Sequence, residues 1–214
     1  MMTLGLDTSE PLGGVALYEE GGPAEELWMD EPLRHAECLF PLIDRILDRC
    51  KIGGPEIDSV SVNRGPGSFT GLRIGLAAAK GLCQAWRIPL VGVDGTIVYR
   101  RRVPEAQRVC VVLASRRDLY YARWFGGSRP KGPTAVLPEA ELIARLRDEE
   151  RVVTLVGSGA PRVHEKMKGA EHVSVAADEM NRPSPLWVAR VGQDEEPAGR
   201  LHEIEPLYVE PLRL

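Results

Sequence analysis

The hydrophobic and polar positions of the first hundred residues predict a sheet with helices packed on it. Short apolar runs bounded by Gly and Pro predict strands at 3–7, 14–18, 24–29, 57–62 and 89–93. Apolar residues at three-and-four spacing predict amphipathic helices at 34–50 and 70–86. Three strands joined by turns and followed by two crossovers give a mixed sheet. The fold class is therefore expected to be α/β.

The second half of the chain predicts a looser version of the same arrangement. Pro104 marks the expected boundary between a first lobe, 1–104, and a second lobe, 105–214. Strands are predicted at 108–113, 119–125, 152–156 and 207–209. Helices are predicted at 138–150, 160–168 and 183–191.

The most distinctive stretch of the chain is a Gly-Pro-Gly turn that leads into the second predicted helix. Ser68 or Thr70 can cap this helix by accepting a bond from a free backbone amide. Gly71, Gly75 and Ala79 lie on one helix face. Each glycine costs ~1 kcal/mol of helix propensity relative to Ala, so a close approach by something is expected there. Three hypotheses stay open: a phosphate cradle, a helix lying close to its own sheet, and a smooth surface for another helix.

Charge and composition exclude several classes of protein. The net charge of −4 leaves no broad basic face, so tight binding of nucleic acid by this chain alone is not expected. Local basic spots are Arg100, Arg101 and Arg102, and Arg116 and Arg117. They are expected to be solvated, and contact of either spot with an RNA phosphate in a complex is the alternative. No apolar run approaches the ~18 residues of a membrane span, and no secretory signal is visible.

The cysteines and histidines point away from metal binding. Cys38, Cys50, Cys83 and Cys110 form no Cys-x-x-Cys pair, which favours small core residues in a reducing compartment. The chain is therefore expected to be cytoplasmic. The four histidines form no pair at the spacing of metal ligands, and no serine has identifiable His and carboxylate partners. No metal site and no catalytic residue are expected.

Four segments of the first lobe, in this order, resemble one known family. They are LGLDTS at 4–9, RH followed by LFPLI at 34–43, GPGSFTGLRIG at 65–75, and IPLVGV at 88–93. Together they resemble the bacterial tRNA threonylcarbamoyladenosine biosynthesis proteins of the TsaB (YeaZ) family. The resemblance implies an actin-like, sugar-kinase-like fold of two related lobes, each a mixed sheet with packed helices, of which the second is degenerate here.

The resemblance also implies a role without catalysis. Family members pair with the paralogue TsaD, which transfers the threonylcarbamoyl group to the adenosine beside the anticodon, and the ATPase TsaE joins the complex. A homodimer is implied when the chain is alone, and contact with tRNA only through the complex. No cofactor is implied.

In the family, the first two helices form both the homodimer and the pair with TsaD. The corresponding interface residues are expected to be Leu39, Ile43, Leu47, Gly71, Leu72, Gly75, Ala78 and Ala79. The small-residue face of the second helix falls on this interface.

Actin-like ATPases hold phosphate with an Asp-centred turn at the start of each lobe. Asp7, Thr8 and Ser9 resemble a remnant of the first turn. Residues 114–116 read Ala-Ser-Arg where relatives tend to have Asp-Ala-Arg, so the second acid is missing. Residues 157–159, Gly-Ser-Gly, follow a predicted strand and are either a plain turn or a remnant of an adenosine loop.

An enzyme of the same fold, either a threonylcarbamoyl transferase or a kinase, is the alternative. TsaD shares the motif order but binds metal through two histidines, three residues apart, after the Val-Gly-Val strand. Imidazole pairs at helical spacing suit a divalent metal. This chain has no histidine between Val93 and Tyr99, which favours the scaffold over the transferase.

Overall fold

The computed structural model describes residues 1–209. Its strands are β1 Met2–Asp7, β2 Gly14–Glu19, β3 Ala24–Trp28, β4 Ser59–Asn63, β5 Leu90–Val93, β6 Arg108–Ala114, β7 Leu119–Gly126, β8 Arg129–Pro130, β9 Ala135–Pro138, β10 Val153–Val156 and β11 Val173–Val175. Its α-helices are α1 His35–Cys50, α2 Phe69–Trp86, α3 Gly95–Arg101, α4 Glu139–Arg147, α5 Ala160–Glu165 and α6 Pro185–Gln193. Among the described residues, no helix is long and apolar enough to cross a membrane.

The first sheet has the strand order β3-β2-β1-β4-β5. β1 lies in the middle, antiparallel to β2 and parallel to β4, and β4 is parallel to β5. The mixed sheet predicted from the sequence is confirmed.

Alternate residues of β1 face two different helix layers. Leu4 and Leu6 are fully buried in a core that includes Ile43 of α1 and Leu76 of α2. Gly5 points to the other face, where a Cβ built on it would overlap the carbonyl oxygen of Pro185. The first sheet is therefore covered by α1 and α2 on one face and by α6 on the other.

The backbone divides into two compact units that do not follow chain order throughout. Among the described residues, unit 1 contains 1–98 and 184–207, and unit 2 contains 99–183 together with Tyr208 and Val209. The sequence-based division assigned 184–207 to the second lobe, but α6 packs on the first sheet so closely that a Cβ on Gly192 would overlap the hydroxyl of Ser61. The last five residues of the predicted lobe 105–214 lie outside the described part.

Unit 2 has its own sheet and core. Its strand order is β11-β10-β6-β7-β8, and β9 pairs with β7. α4 and α5 cover one face, with Leu142, Leu146 and Val163 fully buried. The strand predicted at 207–209 is wrong, because no strand forms there; the Leu207 amide instead donates to the Arg64 carbonyl at 2.6 Å.

Two arginines of the expected basic spot are structural. Arg100 is only 5% exposed, and its guanidinium donates to the carbonyl oxygens of Gly127 at 2.7 Å, Val103 at 2.7 Å and Ala106 at 3.1 Å. Arg102 is 9% exposed and donates to backbone carbonyls of residues 179 and 182. The expectation that these two side chains are solvated is wrong, because backbone carbonyls replace water around them.

Candidate functional site

The candidate site lies where β1 and β4 end at the same edge of the first sheet. Asp7 is the last residue of β1 and is 1% exposed. Its Oδ1 accepts bonds from the Ser9 amide at 3.0 Å and the Ser9 hydroxyl at 2.6 Å. Its Oδ2 accepts a bond from Nδ2 of Asn63, the last residue of β4, at 3.1 Å. Both carboxylate oxygens are thus engaged within the chain.

Burial dominates the electrostatics of this carboxyl group. Enclosure raises the pKa of Asp7 above its ordinary value of 3.8, although bonds from Ser9 and Asn63 and the nearby His35 act in the opposite direction. His35 is 4% exposed, and its Nε2 donates to the Glu10 carbonyl oxygen at 2.9 Å. The polar cluster is therefore part of the interior of unit 1.

The glycine-rich turn closes over the end of β1. The Ser68 amide donates to the Ser9 carbonyl oxygen at 2.7 Å, and a Cβ on Gly67 would overlap the same oxygen. The Ser68 hydroxyl accepts a bond from the Gly71 amide at 3.1 Å, so the predicted cap of α2 is confirmed at Ser68. The loop amides of Gly65, Ser68 and Gly71 all donate within the chain, which argues against the phosphate-cradle hypothesis.

The small-residue face of α2 packs against the chain itself. A Cβ on Gly71 would overlap the Thr8 carbonyl oxygen, and a Cβ on Gly75 would overlap the Thr8 hydroxyl. The same hydroxyl donates to the Gly71 carbonyl oxygen at 2.8 Å. Of the three hypotheses, the helix that lies close to its own sheet describes these glycines.

Most of the expected interface residues are buried within unit 1. Those buried inside unit 1 are Leu39, Ile43, Gly71, Leu72, Gly75, Ala78 and Ala79. Leu47 is half-buried at the rim of the core. The spacing of small residues predicted a close approach correctly, but it could not identify the approaching group as the turn after β1.

The outward-facing residues of α1 and α2 have a different composition. Phe40 is 49% exposed on α1, and Phe69 is 40% exposed at the start of α2. The Arg73 guanidinium lies over the Phe69 ring, 3.7 Å from its centroid. Further along α2, Ala77 is exposed, and a Cβ on Gly81 would meet nothing within 4 Å.

We call this set, Phe40, Leu47, Phe69, Arg73, Ala77 and Gly81, the helix-pair surface. An apolar side chain such as that of Phe40 would be expected on the core-facing side of an amphipathic helix. However, Phe40 directly follows Leu39, and consecutive helical residues point about 100° apart. Phe40 lies one helical turn from the polar, exposed residues Glu37 and Asp44, and these neighbours were the signal that could have marked it as exposed.

The turns at 114–116 and 157–159, the other candidate phosphate or nucleotide loops, form their contacts within unit 2. The Ser158 hydroxyl accepts the Ala114 amide at 3.1 Å, and the Gly157 amide donates to Asn181 Oδ1 at 3.0 Å. A Cβ on Gly159 would come within 2.7 Å of the Tyr120 ring. These contacts describe a packed turn. Within residues 1–209, no group of three or more His, Cys, Asp or Glu side chains is arranged to hold a metal.

Comparisons with known sequences find proteins of tRNA threonylcarbamoyladenosine formation. Residues 32–141 match the family model described as "TsaD: tRNA N6-adenosine threonylcarbamoyltransferase". The chain is 30% identical over 128 residues to the tRNA threonylcarbamoyladenosine biosynthesis protein TsaB of Escherichia coli, covering 58% of this chain and 55% of that protein. It is 27% identical to the Bacillus subtilis protein of the same name, covering 98% of this chain and 94% of that protein.

Comparisons with solved structures identify the fold. A Pseudomonas aeruginosa protein described as similar to peptidase YEAZ is 25% identical, with a TM-score of 0.78 over 98% of this chain and 99% of that chain. A Bacteroides thetaiotaomicron protein with an actin-like ATPase fold gives a TM-score of 0.51 at 9% identity, covering 85% and 92%. A glucomannokinase from Arthrobacter gives 0.52 at 10% identity, covering 91% and 99%. The predicted actin-like, sugar-kinase-like fold class is confirmed.

Proposed function

Since the chain belongs to the TsaB/YeaZ family, we propose that it acts in the formation of threonylcarbamoyladenosine in tRNA as a non-catalytic subunit. In this role it pairs with the transferase TsaD and activates it, TsaE joins the pair, and tRNA is bound through the complex. When alone, the chain forms a homodimer. All four cysteines are free thiols, which supports a reducing, cytoplasmic location.

The helix-pair surface is the observation that carries the proposal. Aromatic side chains are enriched at protein interfaces and dominate their energetics. Phe40 and Phe69 leave 49% and 40% of their surface exposed. Ala77 and Gly81 are exposed small residues on α2, so a partner helix can approach its backbone there. The interface we propose thus uses the two helices that the family resemblance implies, but the outward residues of each.

The enclosure of Asp7 supports the non-catalytic part of the proposal. A phosphate-binding carboxylate must face the ligand, whereas both oxygens of Asp7 accept bonds from Ser9 and Asn63. The Ser9 carbonyl oxygen beside it is bonded to the glycine-rich turn. An Asp7→Asn variant should therefore keep full activity in a reconstituted reaction, provided that it folds.

The second candidate function is that of an enzyme. Residues 32–141 match the family model that is described as the transferase itself. If the chain is the transferase, it should modify tRNA without TsaD.

Reconstitution distinguishes the two functions. The chain, TsaD, TsaE, threonylcarbamoyl-adenylate and tRNA are combined, and the modified adenosine is quantified by mass spectrometry after nuclease digestion. We expect product only when both TsaD and this chain are present. Product formed by this chain without TsaD, or undiminished product without this chain, would contradict the scaffold function.

A single substitution tests the surface. Phe40→Asp should weaken the pair with TsaD by about 30-fold or more, since truncation of an interface hot spot costs ~2 kcal/mol or more. A symmetric homodimer carries the change on both sides and should weaken further. Val152→Asp, at a site 66% exposed in unit 2, is the matched control and should bind normally. Equal affinity of the two variants in sedimentation velocity would exclude the helix-pair surface as the interface.

A further inference from the structure

Unit 2 contains a pocket of about 930 Å³ at one end of its sheet. It lies where β6 and β10 begin and β7 ends. The polar side chains on its wall belong to Glu105, Gln107, Arg108, Lys131, Arg151 and Thr154. This volume falls at the upper end of the roughly 300–1,000 Å³ that ligand pockets occupy.

The pocket has an excess of positive charge. Arg108 is neutralised by Glu149, with Nη2 and Oε2 2.9 Å apart. Lys131 and Arg151 form no ion pair with any residue of the described chain. The two free cations therefore outweigh the single acid on the wall, Glu105.

A buried cation fixes the shape of two pocket walls. Arg100 donates to the carbonyl oxygens of Ala106 and Gly127, which belong to the segments entering β6 and leaving β7. The Gly127 amide also donates to the Gln107 carbonyl oxygen at 2.7 Å. A preformed wall lowers the cost of ordering the site when a ligand binds.

We propose that this pocket binds a phosphate-bearing anion. Lys131 and Arg151 contact the phosphate oxygens, and the Gln107 amide supplies a neutral hydrogen bond. The pocket is larger than a single inorganic phosphate needs, so the phosphate belongs to a nucleotide or to the backbone of an RNA strand. Two unpaired cations match the charge of one phosphate monoester or of two adjacent backbone phosphates.

The test measures both sources on the full chain without any partner protein. Binding of AMP is measured by calorimetry, and binding of a fluorescein-labelled single-stranded RNA by anisotropy at several salt concentrations. The Lys131→Gln/Arg151→Gln variant should bind its ligand at least about tenfold more weakly. For RNA, its salt slope should also fall by about 1.4, because two phosphate contacts are lost.

A matched control removes two cations elsewhere on the same unit. Arg116→Gln/Arg117→Gln changes the exposed tip of the hairpin between β6 and β7, at the opposite end of these strands. This variant should bind as the unsubstituted chain does. Equal weakening of both variants would mean general electrostatic attraction and would overturn the proposal.

Chemical footprinting gives a second readout that needs no substitution. A bound ligand should protect Lys131 from acetylation by acetic anhydride but not Lys168, which is exposed elsewhere on unit 2. Binding of AMP alone or of RNA alone supports the pocket and identifies the source. Failure of both to bind at low salt, or binding without protection of Lys131, overturns it. Neither result depends on TsaD, so the proposed function is tested separately.

Discussion

Replacing Gly75 with Ala should destabilise unit 1, although Ala is the better helix former. The new Cβ would lie well under 3.0 Å from the Thr8 hydroxyl oxygen, a separation that real Cβ atoms essentially never show. Thr8 is fully buried, and its hydroxyl is bonded to Gly71. The hydroxyl can move away only by giving up this bond.

The expected change in the free energy of unfolding combines two destabilising contributions and one stabilising contribution. Overpacking a fitted contact costs ~1–3 kcal/mol, and loss of the Thr8 hydrogen bond costs ~0.5–1.5 kcal/mol. Ala gains ~1 kcal/mol of helix propensity over Gly. Gly75→Ala should therefore lower the free energy of unfolding by about 0.5–3.5 kcal/mol.

Thr8→Ala supplies the partner for a double-mutant cycle. Without the hydroxyl, the nearest remaining atom of residue 8 is its Cβ, 3.4 Å from the new Cβ, which is ordinary contact. In the Thr8→Ala background, Gly75→Ala should thus stabilise the chain by up to ~1 kcal/mol. Gly81→Ala is the matched control on the same helix, since its Cβ meets nothing within 4 Å, and it should stabilise in either background.

Urea unfolding followed by circular dichroism measures all of these variants. The effect of Gly75→Ala on the free energy of unfolding should change sign between the two backgrounds, whereas that of Gly81→Ala should not. If Gly75→Ala stabilised the unsubstituted chain as much as Gly81→Ala does, the Thr8 contact would not exist, and the small-residue face would again be available to a partner.

Two further outcomes follow from burial. Because burial raises the folded-state pKa of Asp7 above 3.8, its stabilising contribution is complete below that pH and is lost as the pH rises through the folded-state pKa. The stability difference between the unsubstituted chain and Asp7→Asn should therefore shrink as pH increases in urea titrations, and a constant difference would contradict this. The thiols should react with a maleimide in two groups, half-buried Cys38 and Cys50 first, then Cys83 and Cys110 only on unfolding, because burial raises the pKa of Cys83 to about 12 and that of Cys110 even more. Simultaneous labelling of all four, followed by peptide mass spectrometry, would refute it.

The sequence predicted the first sheet and its two helices because their patterns are long and regular. α1 was predicted at 34–50 and is His35–Cys50, and α2 was predicted at 70–86 and is Phe69–Trp86. α3 was missed because it is short and rich in β-branched residues. Its start signal was present, since Asp94 Oδ1 accepts bonds from the Thr96 amide and hydroxyl at 2.8 and 2.7 Å.

The candidate site was predicted less well, because the spacing of small residues indicates that something approaches the helix closely but does not identify the approaching residue. Gly71 and Gly75 require a close neighbour, but that neighbour, Thr8, is more than sixty residues away in the chain. Likewise, Arg100 occurs in a run of arginines that is typical of a surface. Val103 and Ala106, which accept two of its bonds, are close in the chain, but the third acceptor, Gly127, is reached only through the tertiary fold. Long-range contacts of this kind leave no local pattern in the sequence.

The return of α6 to the first sheet sets the order in which a nascent chain can complete its two units. β1 to β5 leave the ribosome first, but the helix that covers their second face is synthesised only after all of unit 2's strands. The face around Gly5 and Ser61 stays uncovered until residues 99–183 have been synthesised and α6 follows them. Domains usually mature in the order of synthesis, whereas here unit 1 can be completed only after the chain of residues 99–183 has been made. Until α6 arrives, the incomplete sheet is the part of the chain that chaperones would need to shield.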